Sequence, residues 1–248
     1  MLVDVHCHLD FCKDADKVVE NAVNAGVKVI VTSGVSAETN KKALEYAGMY
    51  DIVKCSLGLY PPDALTKETG EVVDVDEVIE FIKSNKEKVI AIGEVGLDYK
   101  EGKDKQLQKD AFLKMIKLAK ELDKPLVVHS RKAEKDVVDM LEESGYKKVV
   151  LHCFCGKKNL VKRAADNGWF FSIPTNIVRS EQFQDLVKEV NINQLLTETD
   201  APFLSPYPGK SNEPAFVIES VKKISEIKGF TVEETMKTLF MNYRRLFG

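Results

Sequence analysis

The sequence is short of several things, and each shortage excludes something. No apolar run is longer than a strand, which leaves no candidate membrane span, and Met1 leads straight into a strand-like segment with no signal-peptide pattern. Basic charge is not in excess. Lys and Arg number 36 against 39 Asp and Glu, and the net charge of -3 argues against a protein coated in positive charge, though not against a local phosphate-binding cleft. Cysteine occurs five times, an odd number at irregular spacing, so a disulfide framework is not expected and a reducing cytoplasm fits. No Ser/Gly-rich linker or short internal repeat divides the chain, and no apolar helix face demands a protein partner. Histidine is the scarcest of the chemically versatile residues, with four in 248.

What the chain does contain is alternation. Eight β-rich apolar runs occupy residues 2–6, 27–33, 52–58, 88–94, 124–130, 148–154, 169–174 and 193–200, with amphipathic stretches between them. In "KQLQKDAFLKMIKLAKELDK" the apolar residues Leu107, Phe112, Met115, Ile116, Ala119 and Leu122 recur at helical spacing. Two further helices are expected near 212–228 and 231–247, the second opened by a capping box of Thr231 and Glu234. Eight βα units predict a single-domain α/β chain over 1–248, a TIM (β/α)8 barrel with an additional C-terminal helix; an open doubly wound sheet is the alternative.

The four histidines then acquire a common address. His129 and His152 end the fifth and sixth strands, while His6 and His8 close the first and share one strand face, Cys7 turning to the other. Parallel barrel strands bring their C-terminal ends to one rim, where active sites form. Glu94, between Gly93 and Gly96, closes strand four, and Asp200 closes strand eight. One histidine at a strand end is ordinary surface chemistry. Six imidazoles and carboxylates on one rim are a ligand set able to hold two divalent ions, Glu94 bridging them with its two oxygens.

The segments "DVHCHLD", "IGEVGLDY", "VVHSRKAEKD", "LHCFCG", "TETDAP", "GKSNEP" and "NYRRLF" follow one another along the whole chain, which in them resembles the TatD family of metal-dependent deoxyribonucleases within the amidohydrolase superfamily. The resemblance implies a two-metal barrel in which His6, His8, Glu94 and Asp200 hold one ion, and Glu94, His129 and His152 the other. It further implies hydrolysis of DNA phosphodiester bonds by a metal-activated water, with single-stranded DNA or a strand end as substrate. Many members carry G-x-H-P-H after strand three; here the segment reads "GLYPPDA", and Tyr60 and Pro62 stand in the histidine places.

Within that frame Asp200 is the expected general base and Glu94 the bridging carboxylate, with Glu198 on the same strand face orienting a histidine. Arg131 is a candidate phosphate ligand or a surface ion-pair residue. Tyr60 is a candidate for base stacking or phosphate binding, or else a packed loop residue. Lys210 lies in the loop after strand eight, where barrels often bind phosphate, and Asn212 is a candidate cap for the next helix. Asn176 is a further cleft candidate and Trp169 a packing residue. Cys153 and Cys155 are expected to be buried thiols. Two divalent ions, zinc, manganese or magnesium, are the cofactors expected. The competing functions are hydrolysis of a small ester, lactone or amide, and a barrel that binds metal without turnover.

Overall fold

The computed structural model describes residues 1–61 and 73–248, so Pro62 lies outside the described residues. Eight parallel strands form one sheet in sequential order: β1 (Leu2–Cys7), β2 (Val27–Gly34), β3 (Val53–Leu57), β4 (Val89–Asp98), β5 (Leu126–Arg131), β6 (Val149–His152), β7 (Phe170–Pro174) and β8 (Leu195–Glu198). The first and last strands meet. Thr197 Oγ1 donates to the Val3 carbonyl at 2.7 Å, Asp200 N–H to the His6 carbonyl at 3.0 Å and His8 N–H to the Ala201 carbonyl at 2.8 Å. The barrel is therefore nearly closed, and its seam runs beside the first pair of histidines.

Helices α1 (Ala15–Asn24), α2 (Ala37–Met49), α3 (Val75–Ser84), α4 (Lys105–Leu122), α5 (Glu134–Ser144), α6 (Lys158–Asp166), α7 (Glu181–Glu189), α8 (Val217–Lys228) and α9 (Val232–Phe247) cover the sheet. Helix α4 shows how sequence places them. Asp104 caps its first turn by accepting from Gln106 and Leu107 N–H, and Phe112, Met115, Ile116 and Ala119 are buried against the strands. Burial of a side chain the size of Phe112 contributes about 2–3 kcal/mol. Helix α9 opens with the expected Thr231–Glu234 capping box. It packs on β1 and β8, where Tyr243 and Leu246 join a buried cluster with Val3, Val5, Val31, Val127, Val150 and Leu196. An apolar plug so fills the end of the barrel opposite the rim.

Some boundaries differ from expectation, two of them beside the rim. Strand β4 runs on to Asp98 rather than stopping at Glu94, because Gly93 and Gly96, at φ 156° and 143°, carry it past a register shift against β5. A Cβ on Gly96 would lie 2.0 Å from the His129 carbonyl oxygen, so only glycine fits between these strands. Helix α8 begins at Val217, not near 212. Asn212 is buried and ties loops together, donating to the Thr199 carbonyl at 2.6 Å and to Thr175 Oγ1 at 2.9 Å, rather than capping a helix.

Candidate metal centre

The structure brings all six rim residues together. His6 and His8 come from the end of β1 and the residue after it, Glu94 from β4, His129 from β5 and His152 from the last position of β6. Asp200 follows β8, in the left-handed region at φ 56°, with its N–H held by the His6 carbonyl. His6, His8, Glu94 and His152 are buried, and His129 and Asp200 partly so. Cys7 points away into the packed layer, as strand alternation requires.

Glu94 is the centre of the arrangement. Its Oε2 lies 3.3 Å from His6 Nε2 and 3.4 Å from His8 Nε2, while its Oε1 lies 2.8 Å from His129 Nδ1 and 3.2 Å from His152 Nε2. Asp200 Oδ1 stands 3.5 Å from both His6 and His8 Nε2. The donor atoms of His6, His8 and Glu94, and those of Glu94, His129 and His152, each fall within 4.8 Å of one another. His6 Nε2 has no hydrogen-bond partner although it is buried.

Each ring is oriented from behind. The His8 Nδ1 lies 3.0 Å from the Ser33 carbonyl, which can only accept, so Nδ1 carries the hydrogen and the neutral ring turns its Nε2 lone pair towards the carboxylates. His6 Nδ1 bonds Ser33 Oγ at 3.1 Å. Glu198 is fully buried; it takes Cys153 N–H at 2.9 Å and the Ser172 hydroxyl at 2.5 Å, and its Oε2 is 3.5 Å from His152 Nδ1. Asp98 lies 3.2 Å from His129 Nε2 and accepts the Tyr60 hydroxyl at 2.8 Å. Gln108 of α4 in turn holds both backbone groups of Asp98, at 2.8 and 2.9 Å.

Lone pairs of buried imidazoles facing carboxylate oxygens need positive charge between them. In protein without ions, protons supply it. Burial pushes His8 down, but hydrogen bonds to Asp200 and Glu94 outweigh it and raise the group to about 10; His129 and His152 are raised too, burial again opposing their carboxylate partners. Burial raises Glu94 and Asp200, yet the surrounding histidines reverse that and hold both below the usual carboxylate range. A divalent cation would serve the same electrostatic need at the same atoms, and the donor set fits one.

Asp98 and Asp4 are carboxylates that the expected set omits. Asp98 lies four residues past Glu94, at the same strand parity, and a strand carried through to "GLD" finds it. Asp4 lies two before His6 on one face; it accepts from Thr199 Oγ1 at 2.5 Å and Thr199 N–H at 3.0 Å, and burial, against those bonds, raises it to about 7.

Five of the six, His8, Glu94, His129, His152 and Asp200, open onto a cavity of about 660 Å³ lined also by Phe11, Tyr60, Arg131, Glu134, Cys155 and Phe203, while His6 is fully buried behind them. Arg131 reaches it, half-exposed, with Nη1 3.4 Å from Glu101 Oε1. Tyr60 reaches it with its ring edge-on to His129 at 5.1 Å and its hydroxyl committed to Asp98. Lys210 does not line it; its ammonium lies 5.7 Å from the Tyr207 ring. Asn176 does not line it either, and Trp169 is fully buried with its indole N–H on the Tyr146 carbonyl. The thiols are not both buried as expected. Strand β6 ends at His152 and Cys153 takes φ 45°, so alternation no longer applies: Cys153 is half-buried, Cys155 is exposed, and both line the cavity.

Comparison with known proteins covers the chain from end to end. The chain matches the family model for TatD related DNase over residues 3–248. A human protein named deoxyribonuclease TATDN3 is 36% identical, over 99% of this chain and 94% of its own length. A Bacillus subtilis protein named as the uncharacterized metal-dependent hydrolase YabD is 36% identical over 100% and 99%. The crystal structure of YJJV, a TatD homologue from Escherichia coli, superposes with a TM-score of 0.88 at 27% identity, covering 99% of this chain and 97% of that one. End-to-end agreement with sequence relatives and a solved barrel, around one buried cluster of imidazoles and carboxylates, makes the chain a member of the TatD family.

Proposed function

We propose that the protein is a deoxyribonuclease that hydrolyses DNA phosphodiester bonds at or near a single-stranded end, using two divalent ions. One observation carries the reading: the two oxygens of Glu94 face different halves of the cluster, His6 and His8 on one side, His129 and His152 on the other. A carboxylate so placed is built to bridge. His6, His8, Glu94 and Asp200 would hold one ion, and Glu94, His129 and His152 the second. When bound, such ions acidify water and offset the charge that develops on phosphate oxygens.

The protein's own groups do the rest. Asp200, held ionised by its histidine neighbours, is placed to take the proton of the attacking water. Glu198 and Asp98 fix the rings of His152 and His129, and Ser33 those of His6 and His8. Arg131 presents a guanidinium to a phosphate oxygen at the cavity wall. Tyr60 acts through Asp98 rather than on substrate directly. The imidazole-rich donor set favours zinc or manganese for tight occupancy, with Mg²⁺ or Mn²⁺ supporting turnover. All five cysteines are free, and among the described residues no helix is long and apolar enough to cross a membrane; both accord with a cytoplasmic location.

The test is cleavage of end-labelled single-stranded DNA with Mg²⁺, Mn²⁺ or Zn²⁺, comparing the native chain with His129→Ala. Loss of cleavage together with a lower metal content per chain supports the reading. Equal cleavage by both proteins would remove it.

A further inference from the structure

Two phenylalanines that folding leaves exposed stand at the mouth of the cavity. Phe11 is 46% and Phe203 52% exposed, and both line the cavity with Glu94, His129 and Asp200. Each lies three residues beyond a member of the buried cluster and is tied to it by one backbone hydrogen bond: Phe11 N–H to the His8 carbonyl at 3.2 Å, Phe203 N–H to the Asp200 carbonyl at 2.8 Å. The loop bearing Phe203 is held further by His8 N–H on the Ala201 carbonyl, Asn212 N–H on the Pro202 carbonyl and Thr175 Oγ1 on the Leu204 carbonyl. The Phe11 ring lies over His8, centroids 5.3 Å apart and planes 28° apart, and Phe203 meets Phe11 edge to face at 6.3 Å. These are rings fixed in place beside the cluster with π-surface left to water.

The geometry points to Phe11 and Phe203 as a stacking platform for the nucleobase of a nucleotide flanking the scissile phosphate. This inference rests on the phosphodiester reading above. A base is the occupant that suits the chemistry. The Phe203 centroid lies 6.5 Å from that of His8, so a group on the platform is about a sugar's breadth from a phosphate held at the cluster. Val35 and Leu204 add apolar surface to the same cavity, whose polar lining includes Ser130, Arg131 and Glu134, and the two exposed rings read any base by its π-surface. The chain carries a net charge of -3, so it has no overall positive coat for DNA, and stacking adds to the grip that Arg131 gives a phosphate at the cavity wall. In a duplex both faces of a base are taken by its neighbours. A platform therefore admits an unpaired, unstacked nucleotide and makes the enzyme prefer single strands and frayed ends.

The experiment is a cycle between protein and substrate. Matched fluorescent single-stranded oligonucleotides carry, at each position flanking the cleaved bond in turn, either adenine or a tetrahydrofuran residue with no base. Cleavage with Mn²⁺ is measured for the native protein, Phe11→Leu, Phe203→Leu and Phe203→Trp, with the metal content of each determined. For the native protein, removing the base at one position should raise KM about tenfold with kcat little changed. Phe203→Leu, which keeps the apolar volume without the ring, should lose about the same factor on the adenine substrate and become indifferent to the missing base. Phe203→Trp should restore the discrimination. Equal losses on both substrates, or discrimination that survives both leucine variants, would overturn the platform and leave the nuclease reading standing. A native protein that cleaves no oligonucleotide but hydrolyses an ester or lactone would overturn both.

Discussion

The two ends of the barrel are built on opposite principles. At one, the strands finish in buried imidazoles and carboxylates whose charges balance only as a group. At the other, Val3, Val150 and Leu196 meet Tyr243 and Leu246 of α9 in a mainly apolar layer. The first end costs stability unless protons or ions fill it; the second contributes stability whatever the solution holds. On the function proposed, activity and folding belong to different ends of the same strands, and substitutions should separate them.

The sharpest way to break that division is Glu94→Gln, which preserves shape and removes one shared charge. Turnover should fall at least about 10³-fold, some 4 kcal/mol of barrier, and bound metal should drop while the circular dichroism spectrum stays native. An active Glu94→Gln protein would mean the cluster is not the reactive end. At the opposite end, Leu246→Ala should cost about 2–4 kcal/mol in urea unfolding with kcat per folded molecule unchanged. A matching loss of kcat would show the two ends to be coupled. Glu198→Gln lies between, behind His152; metal titration should show affinity falling about 10–100-fold with the fold intact.

A pH dependence is expected in the metal-free protein alone. His8, raised from 6.5 to about 10, and the raised His129 and His152 contribute stability present in full below pH 6.5 and lost as pH climbs towards 10. Asp4, raised from 3.8 to about 7, contributes stability present in full below 3.8 and lost as pH rises through about 7, a decline that comes before that of the histidines. Glu94, Asp98 and Asp200 are lowered from 4.5, 3.8 and 3.8, so their contribution is present above those values and lost in acid. Thermal melts of the metal-free chain should peak between about pH 4.5 and 6.5. Metal should flatten the alkaline limb, and a stripped protein with no alkaline decline would contradict the imidazole–carboxylate pairing.

The sequence was most legible where periodicity and composition agreed. Eight strands, their parallel order and the helical face of α4 follow from apolar spacing, and the six rim residues follow from strand ends plus the scarcity of histidine. Asp98 is hidden in the sequence because apolar spacing ends the strand at Glu94, whereas glycines at 93 and 96 carry it on. Cys153 and Cys155 misled for the converse reason, since the strand stops at His152 and alternation with it. Phe11 and Phe203 carried no periodic signal, the first ending a single 3-10 turn and the second placed by hydrogen bonds within a loop. Local period reports what a strand buries; it is silent about what a loop holds up to solvent.

The seam between β1 and β8 has a consequence for how the chain comes to work. His6 and Asp200 are joined there by a main-chain bond, though nearly the whole sequence separates them. A nascent or nicked ring still missing its last strand can display imidazoles, but not the carboxylate that completes their cage. Tight capture of an ion would then certify that the circle has shut, and a half-made barrel would be left without the means to cut.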